Sequence, residues 1–321
     1  MTIPLRLASV LPLLGALALS GCASGGAAQP SGSAAEGTGD GLKVMASFYP
    51  LQYVAERVGG PLVEVESLTP PGAEPHDLEL SPAAVAELEQ AAAVVYLSGF
   101  QPAVDDAVAQ ASPEHVVDVS AEADLEAGHS EEEHAGESAE EHAEHEGGQG
   151  GKDLHFWLDP ERLAHAGQAV AREFGEADPA NAAVYEENAA ALARELTALD
   201  AEFAKGLATC ELRTVVVSHE AYGYLTEKYG LEQVGIAGLE PDTEPSPARL
   251  AEIGKVVRDE GVTTVFTETL VNPKVAETLA SDLDIRTAVL DPLEGLADDS
   301  SDYQQVMRAN LEALRSALRC G

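Results

Sequence analysis

Positive charge is scarce in this chain. Its 321 residues hold 18 Lys and Arg against 56 Asp and Glu, a net charge of −38. Nucleic-acid binding depends on clustered Lys and Arg facing phosphates, so that class is excluded. A polybasic membrane-surface module is excluded on the same ground. Aromatics are few, at 5% of residues with one Trp, so a core must be built mainly from Ala, Val and Leu. Cysteine is rarer still: three residues, none in a CxxC pair, which rules out a zinc-ribbon set. The run Leu7–Ser20 is shorter than the ~20 residues a membrane-spanning helix needs.

What remains is informative. Apolar residues make up 45% of the chain, enough for roughly two globular domains at this length. A strongly acidic surface concentrates cations, so a cationic ligand is favoured. Met1–Arg6, with Arg6 its only basic side chain, followed by an apolar run, reads as an export signal over residues 1–21. The run ends in Leu19-Ser20-Gly21-Cys22, which looks like a bacterial lipobox with Cys22 as the acylated residue. Residues 22–41 are rich in Gly, Ser and Ala and read as a flexible tether. The expected location is extracytoplasmic, lipid-anchored to the outer face of the cell membrane. Cys210 and Cys320 are then the remaining thiols. In an exported protein they suggest a disulfide pinning the C-terminal helix.

Strand-like apolar runs alternate with helical periodicities over residues 42–178 and again over 209–321, so the fold class is α/β with two small parallel-sheet domains. Residues 179–208 have the pattern of one long linking helix, with Tyr185, Leu192, Leu196, Leu199 and Phe203 recurring mostly at three, four or seven. The halves echo each other: Ser47, Tyr53, Glu56, Arg57 and Gly59 reappear in order as Ser218, Tyr224, Glu227, Lys228 and Gly230. Residues 128–151 differ from everything around them. They carry four His (His129, His134, His142, His145) and eight Glu, with no base and no large apolar side chain. Such a stretch cannot bury enough surface to order itself and is read as a disordered insert and possible auxiliary metal loop.

Ligands of open parallel sheets bind beyond the carboxyl ends of the strands. Four chemically apt residues fall there or in the connecting loops: His76, His155, His219 and Asp291. Three imidazoles and one carboxylate suit Zn²⁺ better than Mn²⁺ or Ca²⁺. A full set of four protein donors describes a closed site rather than a catalytic one. Glu268, after another strand, is a spare carboxylate that fits a supporting role behind a ligand. His219-Glu220 begins like HExxH, but Gly223 stands where the second helical His would be, which argues against a zinc hydrolase.

The stretches Gly72–Pro82, Leu154–Pro160, Ser218–Leu225 and Leu290–Leu293 resemble the motifs of metal-specific ABC-transporter binding proteins, the cluster A-I solute-binding family. The nearest subgroup is the zinc-specific substrate-binding lipoproteins. The resemblance spans Leu42–Cys320 with its motifs in family order. It implies two α/β domains bridged by one rigid helix, with the metal in the interdomain cleft. It implies no enzymatic activity, and a monomer that hands zinc to an ABC permease and its ATPase. His76, His155, His219 and Asp291 fall on the family's ligand positions. Manganese-type members tend to carry Glu where this chain has His219. Manganese or iron delivery and a surface adhesin role are the alternatives, since some members were first described as adhesins.

Overall fold

Two four-stranded parallel sheets carry the protein, and each places its first strand inside the sheet rather than at an edge. The structure, a computed structural model, describes residues 41–125, 152–296 and 300–321. The export signal, Cys22, the tether and the His/Glu-rich insert lie outside the described residues.

The first sheet runs β2-β1-β3-β4: β1 Leu42–Ala46, β2 Val63–Ser67, β3 Ala93–Tyr96 and β4 Val116–Asp118. The second runs β6-β5-β7-β8: β5 Thr214–Val217, β6 Glu232–Gly235, β7 Thr264–Thr267 and β8 Arg286–Val289. The two orders are the same topology, so β1 corresponds to β5. The sequence echo is therefore structural: Ser47 and Ser218 both follow the central strand of their sheet. Strands β3 and β5 are largely apolar because helices cover both faces of a parallel sheet.

The helices are α1 Tyr49–Gly59, α2 Pro82–Leu88, α3 Pro102–Ala111, α4 Pro160–Ala177, α5 Ala182–Leu207, α6 Gly223–Lys228, α7 Pro247–Glu260, α8 Lys274–Asp282 and α9 Tyr303–Ala317. Local chemistry sets several of their ends. Ser81 and Ser246 cap α2 and α7 through their side-chain oxygens, each ahead of a proline in the first turn. Gly261 ends α7 at φ +69°, a conformation cheap only for glycine. Asp302 and Gln305 form a reciprocal capping box at the start of α9.

The long helix begins at Ala182, three residues later than the pattern at Asp178-Pro179 predicts. Asp178 closes α4 instead, its N–H bonded to Phe174 O, and the following turn brings Asn181 to the start of α5. Helix α3 is an element the hydrophobic pattern did not reveal, being mostly small residues with Val104 and Val108 as its only large buried anchors.

One apolar core runs through α5 into both halves. It includes Val44, Leu51, Trp157, Leu163, Leu192, Leu199, Tyr222 and Tyr303. Polar ties add direction: Tyr303 Oη donates to Trp157 O at 2.6 Å, and Lys228 Nζ lies 2.6 Å from Asp159 and 2.7 Å from Glu161. A core shared in this way leaves the halves little freedom to swing apart, because separating them would expose apolar surface.

Cys210 and Cys320 are bonded across 110 residues, and the flanking backbone pairs through Leu212 N–H to Leu318 O. The C-terminus of α9 is thereby tied to the entry of β5. In the chain-entropy account a loop of this length is worth on the order of 4–5 kcal/mol. The Cys210→Ser/Cys320→Ser double variant is expected to lose about that much in urea denaturation. A loss below ~1 kcal/mol would show that the bridge adds nothing to stability.

Candidate metal centre

Strand ends and three loops bring four side chains to one point. His76 sits in the loop after β2, and its ring stands edge-on to Phe100 at 4.7 Å. The loop is held from beneath by buried Gln101, whose Nε2 donates to Pro75 O and to Thr69 Oγ1. His155 precedes the 3₁₀ turn Phe156–Leu158, where the buried Trp157 anchors the chain. His219 lies two residues beyond the end of β5 and is fully buried. The ring centroids of these three residues lie 5.4 to 6.0 Å apart.

The carboxylate in the group is Glu294, not Asp291. Glu294 Oε1 lies 3.1 Å from His219 Nε2, 3.3 Å from His155 Nε2 and 3.5 Å from His76 Nε2. The expectation for Asp291 fails for a local reason. Its Oδ1 accepts the Leu293 N–H at 2.8 Å and its Oδ2 accepts the Thr269 hydroxyl at 2.8 Å, so both oxygens are committed to shaping the loop. Asn310 clasps the Asp291 backbone from both sides, and Trp157 Nε1 donates to Pro292 O. Leu293 adopts φ +60°, a strained conformation for a residue with a Cβ, and this turn directs the next side chain inward. Asp291 thus builds the turn that presents Glu294. The sequence signal for Glu294 was its place in the same loop, where spacing cannot separate two acids three residues apart.

Each imidazole has a carboxylate behind it. Asp153 Oδ1 accepts from both the backbone N–H and the Nδ1–H of His155, at 2.9 and 2.8 Å. Glu268 meets His219 Nδ1 with both oxygens, at 2.9 and 2.8 Å, and also accepts the His219 N–H. Glu240 Oε2 lies 3.5 Å from His76 Nδ1. These contacts turn every Nε2 toward Glu294, and a partner on Nδ1 is what a metal-binding imidazole requires. Glu268 therefore stands where a supporting residue is expected. Asp153 and Glu240 were not picked out from the sequence, because nothing in their spacing marks them.

The electrostatics follow from this arrangement. Burial alone would depress the imidazoles. The carboxylates at Glu240 and Glu294 outweigh burial at His76 and raise it to about 9, and Glu268 with Glu294 raises His219 to about 10. His155 is also raised against burial, by Asp153 and Glu294. Glu294 is buried, which would favour its neutral form, yet the three imidazoles hold it well below the usual carboxylate range. Without metal, then, the surrounding carboxylates favour the charged form of the imidazoles around one anionic oxygen. His155 Nε2 is buried with no hydrogen-bond partner, a costly state for a polar atom.

Donors around a tetrahedral zinc with bonds of about 2.0–2.1 Å lie about 3.3 Å apart. The 3.1 to 3.5 Å separations between Glu294 Oε1 and the three Nε2 atoms are those of such a tetrahedron's edges. A profile of the family described as zinc-uptake complex component A, periplasmic, matches residues 44–317. The chain belongs to this family. The high-affinity zinc uptake system protein ZnuA of Bacillus subtilis is 35% identical over 294 residues, covering 88% of this chain and 90% of that protein. The zinc-binding lipoprotein AdcA of Streptococcus pneumoniae is 33% identical over 284 residues, covering 85% of this chain. The match spans only 55% of AdcA's own length. The Zn(II)-bound ZnuA-like domain of Streptococcus pneumoniae AdcA superposes with a TM-score of 0.70 at 31% identity, covering 87% of this chain and 99% of that domain. Family membership accounts for the two-sheet architecture and agrees with the motif resemblance over Leu42–Cys320. None of the described helices is long and apolar enough to cross a membrane.

Proposed function

We propose that the protein captures extracytoplasmic Zn²⁺ at His76, His155, His219 and Glu294 and delivers it to an ABC-type permease driven by an ATPase. The observation that carries this reading is one carboxylate oxygen 3.1 to 3.5 Å from three imidazole nitrogens, all four donors lying within 4.8 Å of one another and drawn from both halves of the fold. Three nitrogen donors with one carboxylate oxygen favour zinc over manganese, in keeping with the order Mn²⁺ < Fe²⁺ < Zn²⁺. The zinc-bound relative and the zinc-uptake names of the Bacillus and Streptococcus proteins support the same cargo. Four protein donors fill a tetrahedral shell, which suits binding and release better than catalysis. Acylation of Cys22 would hold the protein near its permease, with the acidic surface raising the local cation concentration.

Calorimetric titration of metal-free protein with Zn²⁺ tests this directly. One tight equivalent is expected, and no saturable tight binding would sink the reading. The pH dependence has a definite sign. At pH 7 His76 and His219, raised to about 9 and about 10, carry protons that zinc must displace. About two protons should therefore leave per zinc, and affinity should fall as pH falls. For the metal-free fold the sign reverses. Both groups titrate above the ordinary 6.5, so their stabilising contribution is complete below about pH 6.5 and fades as pH rises through 9 to 10. The gap in Tm between zinc-loaded and metal-free protein is expected to widen from pH 6 to pH 9.

A further inference from the structure

The three imidazoles are not held alike. The partner of His155, Asp153, is two residues away and buried, and the partner of His219, Glu268, is buried at 1% side-chain exposure. The partner of His76 is Glu240, whose side chain is 71% exposed and stands on the loop after β6, in the other half of the fold. A cavity of about 50 Å³ opens between these parts, lined by His76, Phe100, Lys152, His155, Leu239 and Glu240. It touches two of the three imidazoles and opens the site toward solvent. Glu240 therefore spans the mouth: its backbone belongs to one half and its carboxylate meets a ring carried by the other.

We infer that Glu240 is a positioning residue for metal binding, a cross-half strut that sets the orientation of the His76 ring at the mouth of the site. The inference rests on the zinc reading above. It has a physical basis in what a carboxylate partner at Nδ1, here 3.5 Å away, does. Such a partner fixes the tautomer, places Nε2 toward the metal and raises the basicity of the ligating nitrogen. For His155 and His219 that service is supplied within the buried frame and is indifferent to how the two halves sit. For His76 it depends on the loop bearing Leu239 and Glu240 staying against the loop bearing His76. Among the described residues, Glu240 is the carboxylate that meets Nδ1 of His76, so the orientation of this ring depends on it on that side.

The test uses the full chain, with Zn²⁺ as the probe and stopped-flow release to excess chelator as the readout. Glu240→Ala is expected to bind one equivalent of Zn²⁺ with affinity reduced ~10–100-fold, the range for losing such a partner. Glu240→Gln keeps a carbonyl oxygen able to accept the Nδ1–H, and should recover most of the loss. Glu244→Gln, a change at an exposed acid on the same loop, should match the wild type. The Nδ1–H proton of His76 in the zinc-loaded protein should be visible by NMR in wild type and Glu240→Gln and lost in Glu240→Ala. Affinity within twofold of wild type in Glu240→Ala overturns the inference, as does an equal loss in Glu244→Gln, which would indicate general charge. Failure of the wild type itself to bind Zn²⁺ overturns the functional reading instead, so the two failures are told apart.

Discussion

Glu294→Gln should lower zinc affinity by at least ~100-fold, while Asp291→Asn should change it by less than about threefold. The two substitutions are alike in size and charge change and fall in one loop, so their contrast isolates position. Gln at 294 keeps the shape of the side chain but removes the anionic oxygen that lies 3.1 to 3.5 Å from the three Nε2 atoms. Loss of a direct ligand exceeds the ~10–100-fold that follows from losing a ligand's hydrogen-bond partner. Asn at 291 retains an oxygen for the Leu293 N–H and an amide that can serve the Thr269 hydroxyl, so the turn that aims Glu294 survives. Competition against a chelator of known affinity measures both. The opposite pattern, tight binding by Glu294→Gln and loss in Asp291→Asn, would return the fourth ligand to Asp291.

His219→Ala is expected to have the larger total effect, because it removes a ligand and a structural partner at once. The ring is fully buried between Glu268 and Glu294, touching the first through Nδ1 and the second through Nε2. Without it Glu268 keeps only the backbone N–H at residue 219. Breaking a buried charge pair from one side costs on the order of 3–5 kcal/mol, because the remaining charge is left uncompensated. The metal-free variant should show a loss of that order in urea denaturation at pH 7. Its zinc affinity should fall further than that of Glu294→Gln. A variant that kept both wild-type stability and one tight equivalent of zinc would mean that His219 is neither ligand nor keystone.

The order of events along the chain explains what could be read early. His76, His155 and His219 stand in loops that converge on the site, and an imidazole at such a place is uncommon enough to be noticed. The duplicate pattern around Ser47 and Ser218 was visible because the same strand-turn-helix task is performed twice by side chains of the same kinds. The α/β class followed from apolar runs too short to be anything but buried strands, set between helical periodicities. Helix α3 escaped because Ala-rich segments carry little periodic contrast. The start of the long helix was misplaced by three residues because Asp178-Pro179 is a reasonable helix opening in isolation, whereas packing made Asp178 the end of α4.

What the amino-acid sequence determined by itself was the inventory: an acidic chain, three imidazoles at loop positions, two homologous sheets and a thiol pair. Those are properties of residue type and spacing, and they need no knowledge of where a side chain points. Only the tertiary structure decided which acid joins the imidazoles and which acids stand behind them. Asp291 and Glu294 share one short loop, and the bonds that occupy Asp291, together with the φ +60° turn at Leu293, are what turn the second inward and not the first. Asp153, Glu268 and Glu240 reach their imidazoles from a neighbouring residue, an adjacent strand and the opposite half of the fold. A hydrogen bond is chosen by distance and angle in space, and spacing along the chain does not encode either.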